Sequence, residues 1–270
     1  MGTKTDKYPT LLTDDYNGLL LDEINHYDIN IEINPANKTY FGKELITYVN
    51  NTGVELNELF IHLYPNTFNT KKTAPFLFNS FKKTYPDGFK PGYIDINEVS
   101  IGKKKTPFEI LGKGKTILKI SLDKPLAPKD KLKVNIKFFA QLPPARDRFG
   151  YGDNTFNFGN WYPIVCVYNE NGWDTSPYYS DTSNYDVKIV APKDLVIASS
   201  GNIKKETTRG NKKIWNIEGK LIRDFAWVAS DNFTVLNEDV EGTQLKMYFL
   251  GDNTEINEYA CRVAKQTLEL

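Results

Sequence analysis

The clearest pattern along the chain is an alternation of hydrophobic and polar residues. Residues 27–33 carry Tyr or Ile at every odd position and Asp, Asn or Glu between them. Residues 131–138 repeat it with Leu, Val, Ile and Phe at the even positions and Lys or Asn at the odd ones. A period of two predicts strands with one face in a core and one in water.

Further segments of this kind follow one another with turn residues between them. We predict additional strands at residues 45–50, 59–64, 93–101, 108–111, 116–122, 185–190, 195–198, 203–206, 213–217, 225–229 and 244–250. No helical pattern separates them, which indicates an all-β fold. We expect a saddle-like β-sandwich of two or more mainly antiparallel sheets.

Two stretches depart from the alternation. Residues 65–92 form a long irregular insert rich in Pro and Gly, and loops of this length are usually functional or tightly packed. Its aromatic residues should hold it on the domain: Phe76, Phe78, Phe81, Tyr85 and Phe89.

The second departure is the C-terminus, where apolar residues recur every three or four positions behind a cap at Asn253 or Thr254. The apolar stripe consists of Ile256, Tyr259, Ala260, Val263, Ala264 and Leu268. Such a stripe needs a partner surface. We expect this helix to open a second domain that continues past Leu270; a terminal helix folded back on the sheet is the alternative.

One short stretch, residues 157–163, reads Asn-Phe-Gly-Asn-Trp-Tyr-Pro and concentrates aromatic rings between a Gly and a Pro. We call it the aromatic corner. The composition indicates a rigid wall. A buried corner of a β domain and a ligand-facing surface are both compatible with it.

Charge and composition narrow the possible partners. Lys plus Arg and Asp plus Glu number 34 each, so no overall field favours nucleic acid or an anionic membrane. No segment reaches the roughly 18 consecutive apolar residues of a membrane span. The first residues lack a signal-peptide pattern. Two locations are compatible with these features. The protein is either cytoplasmic or, as we slightly prefer, extracytoplasmic or at the cell surface with its export segment removed.

The sequence offers no catalytic constellation. His-Glu-x-x-His, Gly-x-Ser-x-Gly and the phosphate-binding Gly motifs are absent from it. We interpret His26 and His62 as structural, and Cys166 and Cys261 as core residues whose pairing stays open. The carboxylates near the corner match no calcium-loop or glycosidase spacing: Asp147, Asp153, Asp174 and Asp181. We therefore assign no catalytic, cofactor-binding or metal-binding residue.

A series of short motifs, in order, carries a resemblance. They are residues 143–150 (Pro-Pro-Ala-Arg-Asp-Arg-Phe-Gly), 156–163, 172–173 (Gly-Trp), 179–181, 185–187 and 223–227 (Arg-Asp-Phe-Ala-Trp). From about Tyr27 onward the chain resembles the N-terminal β domain of zinc aminopeptidases related to aminopeptidase N.

The resemblance implies a division of the chain and a set of partners. Residues 1–22 would be a lead-in, 23–238 the β saddle domain and 239–270 the start of a thermolysin-like catalytic domain. That missing domain of the same polypeptide would hold the zinc, and the full protein would remove N-terminal residues from peptide substrates. In such relatives a Gln or Glu of the β domain helps to hold the substrate amine. The matching positions give our substrate-rim candidates: Asn157, Phe158, Gly159, Asn160 and Trp161. None of them is Gln or Glu, which puts the amine-anchoring role in doubt.

The alternative is a free-standing module that binds carbohydrate or an extended peptide. Its platform would consist of Trp161, Tyr162, Trp173, Tyr178 and Tyr179. A third possibility is an adhesion or scaffold sandwich without a ligand site.

Overall fold

A computed structural model describes residues 20–76, 80–251 and 253–269. The predicted lead-in lies outside the described residues except for residues 20–22, and Phe78 lies outside them as well. The helices are α1 (Phe81–Thr84) and α2 (Thr254–Leu268), with 3-10 turns at Leu21–Glu23 and Tyr64–Asn69. None of the helices in the described part is long and apolar enough to cross a bilayer.

Strands make up most of the described chain. They are β1 (His26–Asn34), β2 (Thr39–Val49), β3 (Leu56–His62), β4 (Tyr93–Ile101), β5 (Lys104–Lys105), β6 (Phe108–Leu111), β7 (Ile117–Leu126), β8 (Lys131–Gln141), β9 (Phe149–Tyr151), β10 (Phe156–Phe158), β11 (Ile164–Val165), β12 (Val167–Asn169), β13 (Gly172–Asp174), β14 (Ser183–Pro192), β15 (Val196–Ser199), β16 (Asn202–Arg209), β17 (Lys212–Ile222), β18 (Trp227–Ser230), β19 (Phe233–Val240) and β20 (Thr243–Leu250).

The largest sheet has eight strands in the order β16-β17-β14-β1-β2-β8-β4-β5. Its neighbouring strands are antiparallel except for β1 and β14, which run parallel with His26 opposite Asn184. The predicted alternation is confirmed in β1, where the odd positions are buried and the even ones exposed. This sheet therefore has one wet face.

Two four-stranded sheets, β15-β18-β10-β9 and β11-β3-β7-β6, cover the other face. Ile29 of the large sheet, Ile61 of β3 and Trp227 of β18 belong to one continuous hydrophobic cluster. The predicted class, an all-β sandwich of mainly antiparallel sheets, is confirmed.

One ionisable side chain lies within this core. Glu44 of β2 is 2% exposed, and neither carboxylate oxygen has a hydrogen-bond partner in the described residues. Burial raises the pKa of this carboxyl well above its ordinary value. The core therefore favours the neutral acid.

The insert at residues 65–92 is packed by its aromatic rings, as predicted. Phe81 of α1 stacks on Tyr85 with ring centroids 4.5 Å apart, and Phe89 contacts both rings. Tyr85 is 2% exposed and anchors the insert in the core.

The C-terminal residues form a hairpin, β19–β20, followed by α2. The predicted helix and its cap are confirmed, since the Ile256 N–H donates to Asn253 Oδ1 at 3.2 Å. Strand β19 was not predicted, and the expected domain boundary between residues 238 and 239 falls inside it. Helix α2 packs one side against the β19–β20 hairpin, where Cys261 is 9% exposed and Lys265 pairs with Glu238 at 2.9 Å. On its other side Ile256 and Tyr259 are 62% and 60% exposed.

Candidate functional site

The rim candidates lie on β10 and the bend that follows it, and two of them point into the core. Phe158 is 1% exposed and stacks on Trp227 with ring centroids 3.7 Å apart. Trp161 is 0% exposed, and its indole N–H donates to the Phe225 carbonyl at 2.8 Å. These two rings hold the bend in place and do not face a ligand.

The remaining candidates connect the bend to residues 147–148. Asn157 Nδ2 donates to the Asp147 carbonyl at 2.9 Å, and the Gly159 N–H donates to the Arg148 carbonyl at 2.8 Å. A Cβ on Gly159 would lie 3.2 Å from that carbonyl oxygen, so the close approach favours glycine. Asn157 is half-buried and keeps its Oδ1 as an acceptor.

Asn160 ties the bend to a buried acid. It has a φ of 51°, in the left-handed region, and its N–H donates to Asp224 Oδ2 at 3.0 Å. Burial raises the pKa of Asp224, against the opposing effects of the Asn160 hydrogen bond, Tyr162 and Arg148. Asp224 Oδ1 is buried without a partner among the described residues.

A column of four stacked groups runs beside the bend. His62 stacks on Tyr64 at 4.5 Å, Tyr64 stacks on Tyr178 at 5.1 Å, and the Arg148 guanidinium lies 4.3 Å from the Tyr178 ring centroid. His62 and Tyr64 are buried, whereas Tyr178 is 40% exposed. Burial lowers the pKa of His62 to about 4, with a smaller opposing effect of Asp174. The column fixes Arg148 at the surface through cation–π contact.

Sequence reasoning missed this column because its members come from separate parts of the chain. Arg148 belongs to one of the motifs and Tyr178 to the possible aromatic platform, but no sequence pattern indicates that their side chains meet. Asn160 and Tyr178 (63°) both have left-handed φ values. Few residues other than glycine adopt this conformation, so the surrounding structure holds both residues in it.

The exposed aromatic platform of the alternative hypothesis is wrong for two of its five rings. Trp161 and Tyr162 are both 0% exposed. Trp173 is half-buried against Phe60, at 5.9 Å between ring centroids. Only Tyr178 and Tyr179 are exposed.

The carboxylates near the corner stay apart. Asp147 is 5% exposed and accepts from the Arg148 N–H at 2.6 Å, whereas Asp153 pairs with Arg146 at 2.7 Å on the surface. The described residues contain no group of three or more His, Cys, Asp or Glu side chains suited to a metal. Cys166 and Cys261 are free thiols, and burial raises the pKa of Cys166.

The accessible part of the site is thus a small polar wall on a rigid aromatic base. Arg148 and Asn157 present a cation and an amide acceptor, and Tyr178 adds a ring face. Such groups can orient a bound molecule but contain no paired nucleophile and base.

A second candidate surface is the apolar face of α2. It consists of Ile256, Tyr259 and Val263, exposed by 62%, 60% and 42% respectively. Leu268, 44% exposed, lies on another side of α2, and Leu250 of β20 is 50% exposed. Contiguous apolar surface of this kind marks an interaction site.

Comparisons with known proteins bear on the fold. No family model matches the sequence, and no curated protein matches it. Among solved structures, the chain is similar to an M1 zinc metallopeptidase from Deinococcus radiodurans, with a TM-score of 0.52 and 12% identity over 84% of this chain and 46% of that one. A mutant of the M1 zinc metallopeptidase from the same organism gives a TM-score of 0.53 at 12% identity, with the same coverage.

A two-domain M1 zinc metallopeptidase mutant bound to L-arginine gives a TM-score of 0.51 at 10% identity, over 85% of this chain and 48% of that one. At this identity the likeness shows a shared fold. The chain spans less than half the length of the solved structures it matches.

Proposed function

We propose that this chain is the non-catalytic N-terminal β domain of a zinc aminopeptidase-like metallopeptidase. The supporting observation is the structural match, which covers 84% of this chain but only 46% of the metallopeptidase. In this proposal the parent protein hydrolyses N-terminal residues from peptides, and a catalytic domain outside residues 1–270 holds the zinc.

The apolar face of α2 supports the same arrangement. Ile256, Tyr259 and Val263 lie at spacings of three and four on the segment that follows the β19–β20 hairpin. Burying such a stripe stabilises an interface by about 25 cal/mol for each Å² of apolar area removed from water. We propose that the catalytic domain covers this face.

The corner would then form one wall of the substrate cleft. Arg148 and the Asn157 Oδ1 are its accessible polar groups, and Asn157 would contribute an acceptor at the position where relatives use Gln or Glu. Phe158, Trp161 and the Gly159 bend would keep that acceptor in place.

The first experiment compares this chain with the longer polypeptide encoded by its gene. We expect stoichiometric zinc and hydrolysis of an aminoacyl anilide by the longer protein only. Tight zinc or turnover in residues 1–270 alone would contradict the proposal, as would a reading frame past Leu270 without His-Glu-x-x-His.

The second experiment tests the wall in the longer protein. Asn157→Ala should raise KM for a peptide with a free N-terminus and leave kcat nearly unchanged, because it removes an acceptor used in binding. Asn154→Ala is the matched control, since Asn154 is exposed and bonds only to Asn232 among the described residues. Equal KM values for both variants would remove Asn157 from the site.

A further inference from the structure

The edge of the eight-stranded sheet at β4 is only half covered. Strand β5 pairs with Ser100 and Ile101, and the Thr106 N–H donates to the Val99 carbonyl at 3.0 Å. Beyond that point the chain leaves the sheet toward β6. Residues 93–96 therefore have β8 on one side and no paired strand on the other within the described chain.

The backbone of this stretch directs hydrogen-bonding groups away from the sheet. The Ile94 N–H donates to Asn66 Oδ1 at 2.8 Å instead of to β8. Since backbone groups of alternate residues in a strand point to the same side, those of Ile94 and Ile96 both face away from β8. No described residue bonds to the Ile94 carbonyl or the Ile96 N–H.

Asn66 occupies the place that a neighbouring strand would take at Ile94. Its Oδ1 accepts from Ile94, while its Nδ2 donates to the Lys115 carbonyl at 2.8 Å. Asn66 is 5% exposed, so its amide is held between the two segments. The fold thus satisfies one edge donor with a side chain and leaves the next donor and acceptor available.

These groups open into a cleft of about 650 Å³. Its opposite wall includes Ile110 of β6, the edge strand of the second four-stranded sheet, and Leu63 and Asn66 close one end. The volume lies within the range of ligand pockets. Because walls flank the β4 edge, the cleft fits one extended segment better than the edge of a second folded sheet.

The other edge of the large sheet is built differently. Strand β16 carries Lys204, Lys205, Glu206 and Arg209, and charged residues on an edge oppose strand addition. The open stretch of β4 has Tyr93, Ile94 and Ile96 with Asp95 as its one charge. The open stretch of β4 carries no lysine; the lysines at this edge are Lys104 and Lys105 of β5, beyond the open stretch, and Lys115 in the lining of the cleft.

We propose that the cleft between β4 and β6 binds an extended segment of another polypeptide by strand addition. The segment would continue the line of β5 beside Asp95 and Ile96, end where Asn66 occupies the edge, and bond to the Ile94 carbonyl and the Ile96 N–H. Its inward side chains would meet Ile96 and Ile110 together with the polar Asn66, Asn69 and Lys115, so a mixture of β-branched apolar and hydroxyl side chains fits the cleft. An outward Lys would pair with Asp95 across the strands. This inference does not depend on the proposed function.

The probe is a blocked peptide, acetyl-Thr-Val-Lys-Val-Thr-amide, titrated into the isotope-labelled chain. We expect amide shift changes at Ile94, Ile96 and Ile110 and slower hydrogen exchange at Ile96. Two control peptides carry N-methyl groups on the odd or on the even residues. At least one should lose binding, because methylation removes the donors that face β4.

Two outcomes of this titration would overturn the proposal. One is the absence of shifts at these amides up to about 5 mM peptide, a concentration that detects even millimolar affinity. The other is binding of both methylated peptides with the affinity of the unmethylated one, which would show that backbone pairing does not hold the segment.

Two variants locate the binding. Ile96→Pro removes the free N–H without taking a donor from the β8 ladder, and Ile96→Val is its control. Ile110→Glu places a charge in the cleft from β6 and leaves β4 unchanged, so it tests the site even if the proline variant does not fold. We expect affinity to fall by about tenfold or more in Ile96→Pro and in Ile110→Glu, which corresponds to about 1.4 kcal/mol, and to persist in Ile96→Val. Unchanged affinity in the folded variants would contradict the assignment.

Discussion

The aromatic corner and the C-terminal extension use similar side chains in opposite ways. The corner buries Phe158 and Trp161 almost completely, against Trp227 of β18, whereas α2 leaves Ile256 and Tyr259 more than half exposed. The corner's rings contact one another and the sheets on every side. Apolar residues therefore mark two different environments within the described residues: a closed core and an exposed helix face.

The largest expected effect comes from truncating one ring in each region. Trp161→Ala should lower the free energy of unfolding by about 3–5 kcal/mol, because it leaves a cavity and removes the bond to the Phe225 carbonyl. Tyr259→Ala, on the exposed face of α2, should change it by about 0.5 kcal/mol or less. Urea denaturation of both variants measures the difference. Similar losses would mean that the two regions are equally packed.

Acid should destabilise the core through the buried His62. The folded pKa of His62 is about 4 against an ordinary 6.5, so between these values the unfolded chain binds a proton that the folded chain does not. Stability should thus fall by about 3 kcal/mol from pH 7 to pH 4. Above pH 6.5 this group has no effect.

His62→Phe keeps the stack on Tyr64 and should remove that part of the pH dependence. His26→Gln is the control, since His26 lies at the surface beside Asp186. Urea denaturation of the wild type and both variants at several pH values measures how the free energy of unfolding of each depends on pH. If the stability of His62→Phe falls between pH 7 and pH 4 as much as that of the wild type, His62 is not the source of the acid destabilisation.

Glu44 should act in the opposite direction. Burial raises the pKa of its carboxyl. The neutral carboxyl therefore makes its full contribution to the free energy of unfolding below the ordinary pKa of 4.5, and this contribution is lost as the pH rises above that value. The loss is about 1.4 kcal/mol for each pH unit until the folded pKa is reached. Glu44→Gln should therefore gain stability over the wild type as the pH increases.

Glu58→Gln is the control for Glu44→Gln, because Glu58 is partly exposed and pairs with Lys119 at 2.8 Å. A wild-type stability that does not diverge from Glu44→Gln between pH 5 and 8, about the range where such groups act, would contradict the assignment.

The smallest effect on folding and the clearest effect on assembly should come from the helix face. Ile256→Ala combined with Val263→Ala should change unfolding by about 0.5 kcal/mol or less. In sedimentation experiments the wild type should associate as its concentration rises, and the double variant should stay monomeric. Glu258→Ala, a polar position on α2, is the control. A wild type that is monomeric at all concentrations would show that this face needs no cover.

The sequence predicted those parts of the fold in which one face is wet. The alternation of apolar and polar residues predicted β1 and β8, because the outward residues of both strands are polar. Strand β19 was not predicted because most of its residues are neither fully buried nor regularly alternating. The parallel pairing of β1 with β14 joins distant segments, so no local pattern encodes it.

The candidate site was predicted less well than the fold. The motif runs marked the bend at residues 157–161, but composition does not tell a ring in a core from a ring on a wall. The column from His62 to Arg148 depends on the packing of three separated segments, which contribute His62 with Tyr64, Arg148 and Tyr178. Asp224 became part of the site only through its bond to the Asn160 N–H.

The parallel pair at the centre of the large sheet also has a consequence during synthesis. Strand β1 gains its partner β2 at once, but the other edge of β1 must wait until β14 leaves the ribosome. Folding that requires such distant pairing is slow, because loop closure precedes the gain from contact. The whole segment between β1 and β14 is therefore made before this central strand can close, and the unpaired edge of β1 stays open to other strands during this interval.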